Sequence, residues 1–91
     1  MAILRRLSDG KGDQGSRMEA IKWHQDGTLE NVGYKPMIGY SLLVGSLTAR
    51  SYSDKDYWLT TEITEILEEK QHDGGMYVKF KTSNSIYELW Y

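Results

Sequence analysis

The hydrophobic and polar positions near the end of the chain alternate with the period of a β-strand. Met76, Val78 and Phe80 fall on one face of residues 76–82, and mainly polar side chains fall on the other. Such alternation is typical of an antiparallel strand that packs one face on a core. The pattern predicts β structure in this part of the chain.

Turn residues divide the chain before and after this strand into further extended segments. The Asp-Gly pair at 26–27 and the Asp-Gly-Gly run at 73–75 tolerate the positive φ angles that tight hairpins need. The run Thr-Ser-Asn-Ser at 82–85 is a third turn signal. The predicted strands are residues 18–25, 28–32, 38–51, 57–70, 76–82 and 85–91.

Residues 62–70 fit two descriptions. Ile63, Ile66 and Leu67 follow the i, i+3, i+4 spacing of a helix, and the glutamates around them are good helix formers. The β-branched and aromatic residues just before them favour a strand, and a hairpin turn follows directly. Strand is the preferred interpretation, with a short helix as the alternative.

Length and composition restrict how these strands can be arranged. A chain of 91 residues forms one domain at most. It has no cysteine, so stability must come from packing, to which three Trp, seven Tyr and one Phe contribute large buried areas. About six strands over residues 18–91 predict a mainly β, single-domain fold whose antiparallel sheet closes into a small SH3-like or OB-like barrel.

We expect residues 1–17 to form a flexible, disordered tail. Residues 8–16 contain three glycines and no apolar side chain, so they bury too little surface to offset their ordering entropy. In the alternative, Ile3, Leu4 and Leu7 dock as an edge strand or as a partner-binding stub. The match of Gly10, Gly12 and Gly15 to a dinucleotide fingerprint carries no weight, because no predicted strand precedes it and no helix follows.

The charge distribution restricts the class of partner. The formal net charge is −2, and residues 1–17 are locally basic, so the rest of the chain is acidic. An acidic body disfavours binding to duplex DNA. No apolar run is long enough to cross a bilayer, and no secretory signal is recognisable. With the absence of cysteine, this predicts a cytoplasmic protein without membrane contact.

Aromatic, hydroxyl and charged side chains are concentrated in residues 51–58. Such a composition gives adaptable contacts at low entropic cost, and binding residues are frequently carried by loops on a rigid scaffold. We expect a recognition loop for a protein partner here. In the alternative, the aromatic rings pack into the domain and the aspartates only solvate the turn. The candidate contact residues are Tyr52, Asp54, Asp56, Tyr57 and Trp58.

A second hypothesis is a β-barrel that binds single-stranded nucleic acid. Aromatic rings interleaved with lysines on adjacent strands can stack bases and hold phosphates, although the acidic remainder counts against this function. A small-molecule site in the mouth of the barrel is a third possibility. The candidate nucleic-acid residues are Trp23, Tyr77, Lys79, Lys81, Tyr87 and Trp90.

Catalytic and metal-binding patterns are weak. His24 and His72 each lie close to an aspartate of a predicted turn, which turn chemistry explains without catalysis. Their separation forms no metal motif, and no cysteine is present. We expect a non-enzymatic protein without metal or cofactor. The glutamates at 62, 65, 68 and 69 indicate a solvated strand face or, alternatively, an acidic patch for a basic partner.

The segments TEITEILEE at 61–69 and YVKFKTSNSIYEL at 77–89 resemble the endings of short uncharacterised proteins of bacteria and their phages. The resemblance is confined to the C-terminal third and transfers no site. It implies a compact β-domain of unknown function carried on a mobile element. The expected function is an interaction module for a protein partner, with single-stranded nucleic-acid binding as the alternative.

Overall fold

The computed structural model describes residues 1–45 and 57–91, which form nine β-strands and no helix. The described residues thus contain no helix that is long and apolar enough to cross a membrane. The strands are β1 (Ala2–Arg6), β2 (Gly12–Gly15), β3 (Arg17–Trp23), β4 (Leu29–Gly33), β5 (Ser41–Gly45), β6 (Tyr57–Leu59), β7 (Ile63–His72), β8 (Gly75–Thr82) and β9 (Ile86–Trp90).

The described strands pair into two antiparallel sheets. One has five strands in the order β2-β1-β9-β8-β7, and the other has four in the order β4-β3-β5-β6. The mainly β class and the antiparallel pairing are confirmed. The closed barrel of about six strands is wrong, since the described strands form two sheets and neither is closed.

One predicted strand, residues 57–70, is divided between the two sheets. Just after β6, the buried hydroxyl of Thr60 accepts a hydrogen bond from the Leu42 N–H (3.0 Å) and donates one to the Thr61 carbonyl (2.7 Å). Ile63 then donates its N–H to the Tyr40 carbonyl at 2.9 Å. The side-chain bonds of Thr60 satisfy the backbone where the ladder stops, so the chain can change sheets there.

Residues 1–17 are ordered, so the predicted disordered tail is wrong. β1 pairs with β9 on one side and with β2 on the other, and Leu4 is fully buried. The alternative of an edge strand is correct only in part: Ile3 and Leu4 dock in β1, but β1 lies inside the sheet, and Leu7 lies outside β1 and is 46% exposed. The composition of residues 8–16 did not reveal β2, because this strand contributes backbone pairing rather than apolar side chains. At Gly12 the strands approach so closely that a Cβ would overlap the Leu4 carbonyl.

β7 confirms the strand interpretation of residues 62–70. Its register with β8 shifts between Ile63 and Glu65 and again between Ile66 and Glu68. Each bulge inserts one residue, so Ile63 and Ile66 pack on the core although they are three residues apart. The apparent helical spacing is thus the sequence pattern of a bulged strand. Bulges and exposed charges also protect β7, an edge strand, from pairing with other chains.

The core lies between the two sheets. Phe80 is fully buried and stacks on Tyr87, with ring centroids 5.4 Å apart. Every residue of β5 is buried, and this strand begins at Ser41 rather than at residue 38, where the sequence predicted its start. The core residues are Ala2, Leu4, Leu42, Val44, Ile63, Val78, Phe80, Tyr87 and Leu89.

Candidate functional site

The residues expected to form a recognition loop do not form one surface. Tyr52, Asp54 and Asp56 lie outside the described residues. Tyr57 and Trp58 are neighbours in β6, where adjacent side chains point to opposite faces of the sheet. Trp58 packs against the core, whereas Tyr57 lines a groove on the outer face of the four-stranded sheet.

That groove, here called the outer groove, has a volume of about 210 Å³. It crosses all four strands of its sheet, because β3, β4, β5 and β6 each present alternate residues on the outer face. Its floor is apolar, with Ile21 and Leu43 almost fully covered. The lining residues are Arg17, Glu19, Ile21, Leu29, Asn31, Leu43 and Tyr57.

Trp23 extends the apolar surface next to the outer groove. It is the cross-strand partner of Leu29, and its Nε1–H donates a hydrogen bond to the buried Ser41 hydroxyl at 3.0 Å. The bond restrains the indole, yet Trp23 is 46% and Leu29 45% exposed. The result is a restrained aromatic and aliphatic pair that is open to solvent on the outer face.

Polar residues at the rim of the outer groove are paired with each other. Arg17 Nε donates to Glu19 Oε2 at 2.6 Å, and Asn31 Nδ2 donates to Glu19 Oε1 at 2.9 Å. Both carboxylate oxygens of Glu19 therefore have partners. The Glu19 carboxylate is therefore compensated, although it lies beside the apolar floor of the groove.

The six residues expected for nucleic-acid binding lie in three places. Trp23 lies on the outer face of the four-stranded sheet, and Tyr87 faces the core. The other four lie on the outer face of the five-stranded sheet, which is opposite to the face that carries Val78 and Phe80. These four residues are Tyr77, Lys79, Lys81 and Trp90.

Tyr77, the central aromatic residue of that face, is engaged on several sides. Its hydroxyl donates to Glu88 Oε2 at 2.7 Å, and this bond together with burial raises the pKa of Tyr77 to about 12. Its ring lies 5.5 Å from the Trp90 ring and 5.2 Å from the Lys70 ammonium. Tyr77 is therefore buried by its neighbours, with a carboxylate beside it, and offers little free ring for stacking a base.

Among the described residues, no hydrogen bond joins His24 to Asp26 or His72 to Asp73. His24 Nε2 lies 2.9 Å from Glu30 Oε2 rather than beside Asp26. Asp26 accepts hydrogen bonds from the hydroxyl and the N–H of Thr28, which lower its pKa and close the hairpin turn. Within residues 1–45 and 57–91, no three acidic or histidine side chains converge as metal ligands.

Trp58 is held in place by contacts on two sides. Its Nε1–H donates to the Tyr87 hydroxyl at 3.2 Å, and the Arg6 guanidinium carbon lies 5.0 Å from its ring centroid. Arg6 also donates to both carboxylate oxygens of Asp9, at 3.0 and 2.6 Å, which lowers the pKa of Asp9 to about 2. For Trp58 alone, these contacts agree with the alternative in which the aromatic rings pack into the domain.

A wide depression of about 450 Å³ lies beside Trp58, here called the Trp58 depression. Sequence reasoning missed it, because it assigned residues 10–14 to a disordered tail. The lining combines two basic side chains with two glycines and one tryptophan. It consists of Arg5, Gly10, Lys11, Gly12, Asp13, Gln14 and Trp58.

In comparisons with known proteins, no family model, curated protein or solved structure matches the chain.

Proposed function

We propose that this protein is a non-enzymatic binding module that engages a protein partner through the outer groove and the adjoining Trp23–Leu29 pair. The observation that carries the proposal is the restrained, half-exposed Trp23 next to an apolar groove. Tryptophan and other aromatic anchors contribute much of the binding energy at protein interfaces. Because Trp23 is already restrained, less side-chain freedom is lost when a partner binds.

The composition of the outer face supports the proposal. The outer face of a sheet whose other face packs on a core is ordinarily polar. Here Ile21 and Leu43 form a nearly covered floor on that face, and Leu29 and Trp23 supply its exposed apolar surface. Clustered apolar groups rimmed by polar residues are characteristic of interaction surfaces.

The position of β4 suggests how the partner is held. β4 is an edge strand of the four-stranded sheet, so the backbone groups on one of its sides have no partner strand within the described residues. An extended segment of a partner can add to such an edge, and its alternate side chains would then point to the outer face. The proposed partner element is an extended segment with apolar residues at alternate positions.

Replacing Leu29 by lysine should weaken partner binding strongly while leaving the fold intact. Leu29 is half-exposed, so the change has little effect on stability, but a partner would have to bury the new charge against an apolar surface. We expect affinity to fall by roughly tenfold or more. The measurement is capture of partners from an extract of the source cells, followed by calorimetric titration of each purified candidate.

The matched control is Leu67→Lys. Leu67 is 41% exposed but lies in β7, in the other sheet. A genuine partner is retained by the unmodified protein and by Leu67→Lys and is lost with Leu29→Lys. Equal binding of every captured protein to both variants would show that the outer groove is not the interface.

A further inference from the structure

The Trp58 depression lies between two edge strands. β2 is an edge of the five-stranded sheet, β6 is an edge of the four-stranded sheet, and residues of both line the depression. Its volume of about 450 Å³ is within the range of small-molecule sites. It is separate from the outer groove, since Trp58 and Tyr57 point to opposite faces of β6.

The basic side chains of the depression form no ion pair with a carboxylate of the described residues. The Arg5 guanidinium donates to neutral acceptors: the Leu4 and Asp13 carbonyls and the Gln14 side-chain oxygen, at 2.8, 3.3 and 3.0 Å. Lys11 forms no ion pair within residues 1–45 and 57–91. These contacts fix the Arg5 head group, whereas Lys11 remains exposed and able to reach a ligand.

Two carboxylates lie near these cations. Both oxygens of Asp9 accept hydrogen bonds from Arg6, and Oδ1 also accepts the Lys11 N–H at 3.1 Å, so Asp9 is compensated mainly by Arg6 and in part by Lys11. Asp13 lines the depression, and its Oδ1 accepts the Gln14 N–H at 2.7 Å. The lining therefore carries two cations, Arg5 and Lys11, against one partly engaged carboxylate, and it is net positive on a chain that is net negative.

The backbone contributes a further donor. Arg6 donates its N–H to the Lys11 carbonyl at 2.7 Å, which identifies that cross-strand pair as hydrogen-bonded. Hydrogen-bonded and non-bonded pairs alternate along an antiparallel ladder, so the next pair, Arg5 with Gly12, is non-bonded. By this alternation the Gly12 N–H is not used in the β1–β2 ladder. Gly12 lines the depression and has no side chain to cover its backbone.

We propose that the Trp58 depression binds an oxyanion, the phosphate or carboxylate group of a small ligand. Lys11 and Arg5 supply the positive charge, and the Gly12 N–H supplies a backbone donor. Charge-assisted bonds of this kind are stronger than neutral ones. Trp58 forms a restrained wall against which the rest of the ligand can pack.

The test is an NMR titration of the full-length, ¹⁵N-labelled protein at constant ionic strength, with sodium chloride as the reference anion. Inorganic phosphate is added in one series and acetate in another. We expect saturable shifts of the Gly10, Lys11 and Gly12 amides and of the Trp58 indole N–H. Saturation by phosphate or by acetate identifies the chemical source of the oxyanion. If neither anion gives saturable shifts at these positions, the proposal is wrong.

Lys11→Gln is the decisive variant, because Lys11 is exposed and its replacement should not disturb the fold. Loss of one charge-assisted bond should weaken binding of the preferred anion by roughly tenfold. Lys81→Gln is the control, since Lys81 is also exposed but lies on β8. Equal affinities of Lys11→Gln and the unmodified protein would overturn the proposal. This outcome does not bear on the outer groove, which is tested by Leu29→Lys.

Discussion

Replacing Phe80 by alanine should lower the free energy of unfolding by about 3–5 kcal/mol. Phe80 is fully buried between the two sheets, and its ring stacks on Tyr87. Removing it takes away a large apolar surface and leaves a cavity that β-strands on both sides cannot readily close. A domain of this length has a total stability of about 5–14 kcal/mol, so the variant should be close to unfolding.

Urea unfolding followed by circular dichroism at 25 °C measures this effect. Tyr34→Ala is the control, since Tyr34 is another aromatic residue but is 71% exposed. The control should change stability by no more than about 0.5 kcal/mol. If Phe80→Ala loses less than about 1 kcal/mol, the position cannot be a close-packed centre of the core.

Replacing Gly12 by alanine should have the second largest effect, a loss of about 2 kcal/mol or more. The new Cβ would overlap the Leu4 carbonyl oxygen, which is backbone and cannot rotate away. Either β2 separates from β1 or the backbone of β1 shifts, and β1 carries the fully buried Leu4. The measurement is again urea unfolding.

Gly10→Ala provides the comparison within the same hairpin. Gly10 has a φ of +73°, but a Cβ there meets no atom. Its replacement should therefore cost only the left-handed strain of about 1–2 kcal/mol. Gly12 does not have this backbone conformation, so a larger loss at Gly12 isolates the steric contact with β1. A smaller loss at Gly12 than at Gly10 would mean that the two strands do not approach as described.

Local pattern predicted the strands better than it predicted their arrangement. β8 and the turns on either side of it follow from alternation and turn chemistry alone. The division between β6 and β7 does not, because it depends on the Thr60 hydroxyl bonding the Leu42 N–H, 18 positions away. β2 has no apolar side chains from which a strand could be predicted. Glycine is required at position 12 because a Cβ would overlap the backbone of β1, which the sequence does not show.

The candidate surfaces could be predicted from the sequence only where they depend on local strand geometry. Tyr57 and Trp58 were grouped because they are adjacent in sequence, yet the two-residue period of a strand sends neighbours to opposite faces. That rule was available from the sequence once a strand was predicted there. The restraint on Trp23 was not, since the partner of its indole N–H is Ser41, on another strand.

The N-terminal strands contribute to both the core and the proposed oxyanion site. β1 joins β9 to β2 in the five-stranded sheet, and β2 forms one side of the Trp58 depression. Without these strands the buried side chains of Leu4 and Ala2 would leave the core, and the proposed oxyanion site would not exist.

Native-state hydrogen exchange of the intact chain tests this arrangement most directly. Amides of β1 that pair with β2 and β9, including Leu4 and Arg5, should exchange slowly, with protection comparable to that of Val78 and Phe80 in β8. Exchange of residues 2–6 at the rate of an unfolded chain, while β8 stays protected, would contradict a five-stranded sheet built on the N-terminal strands.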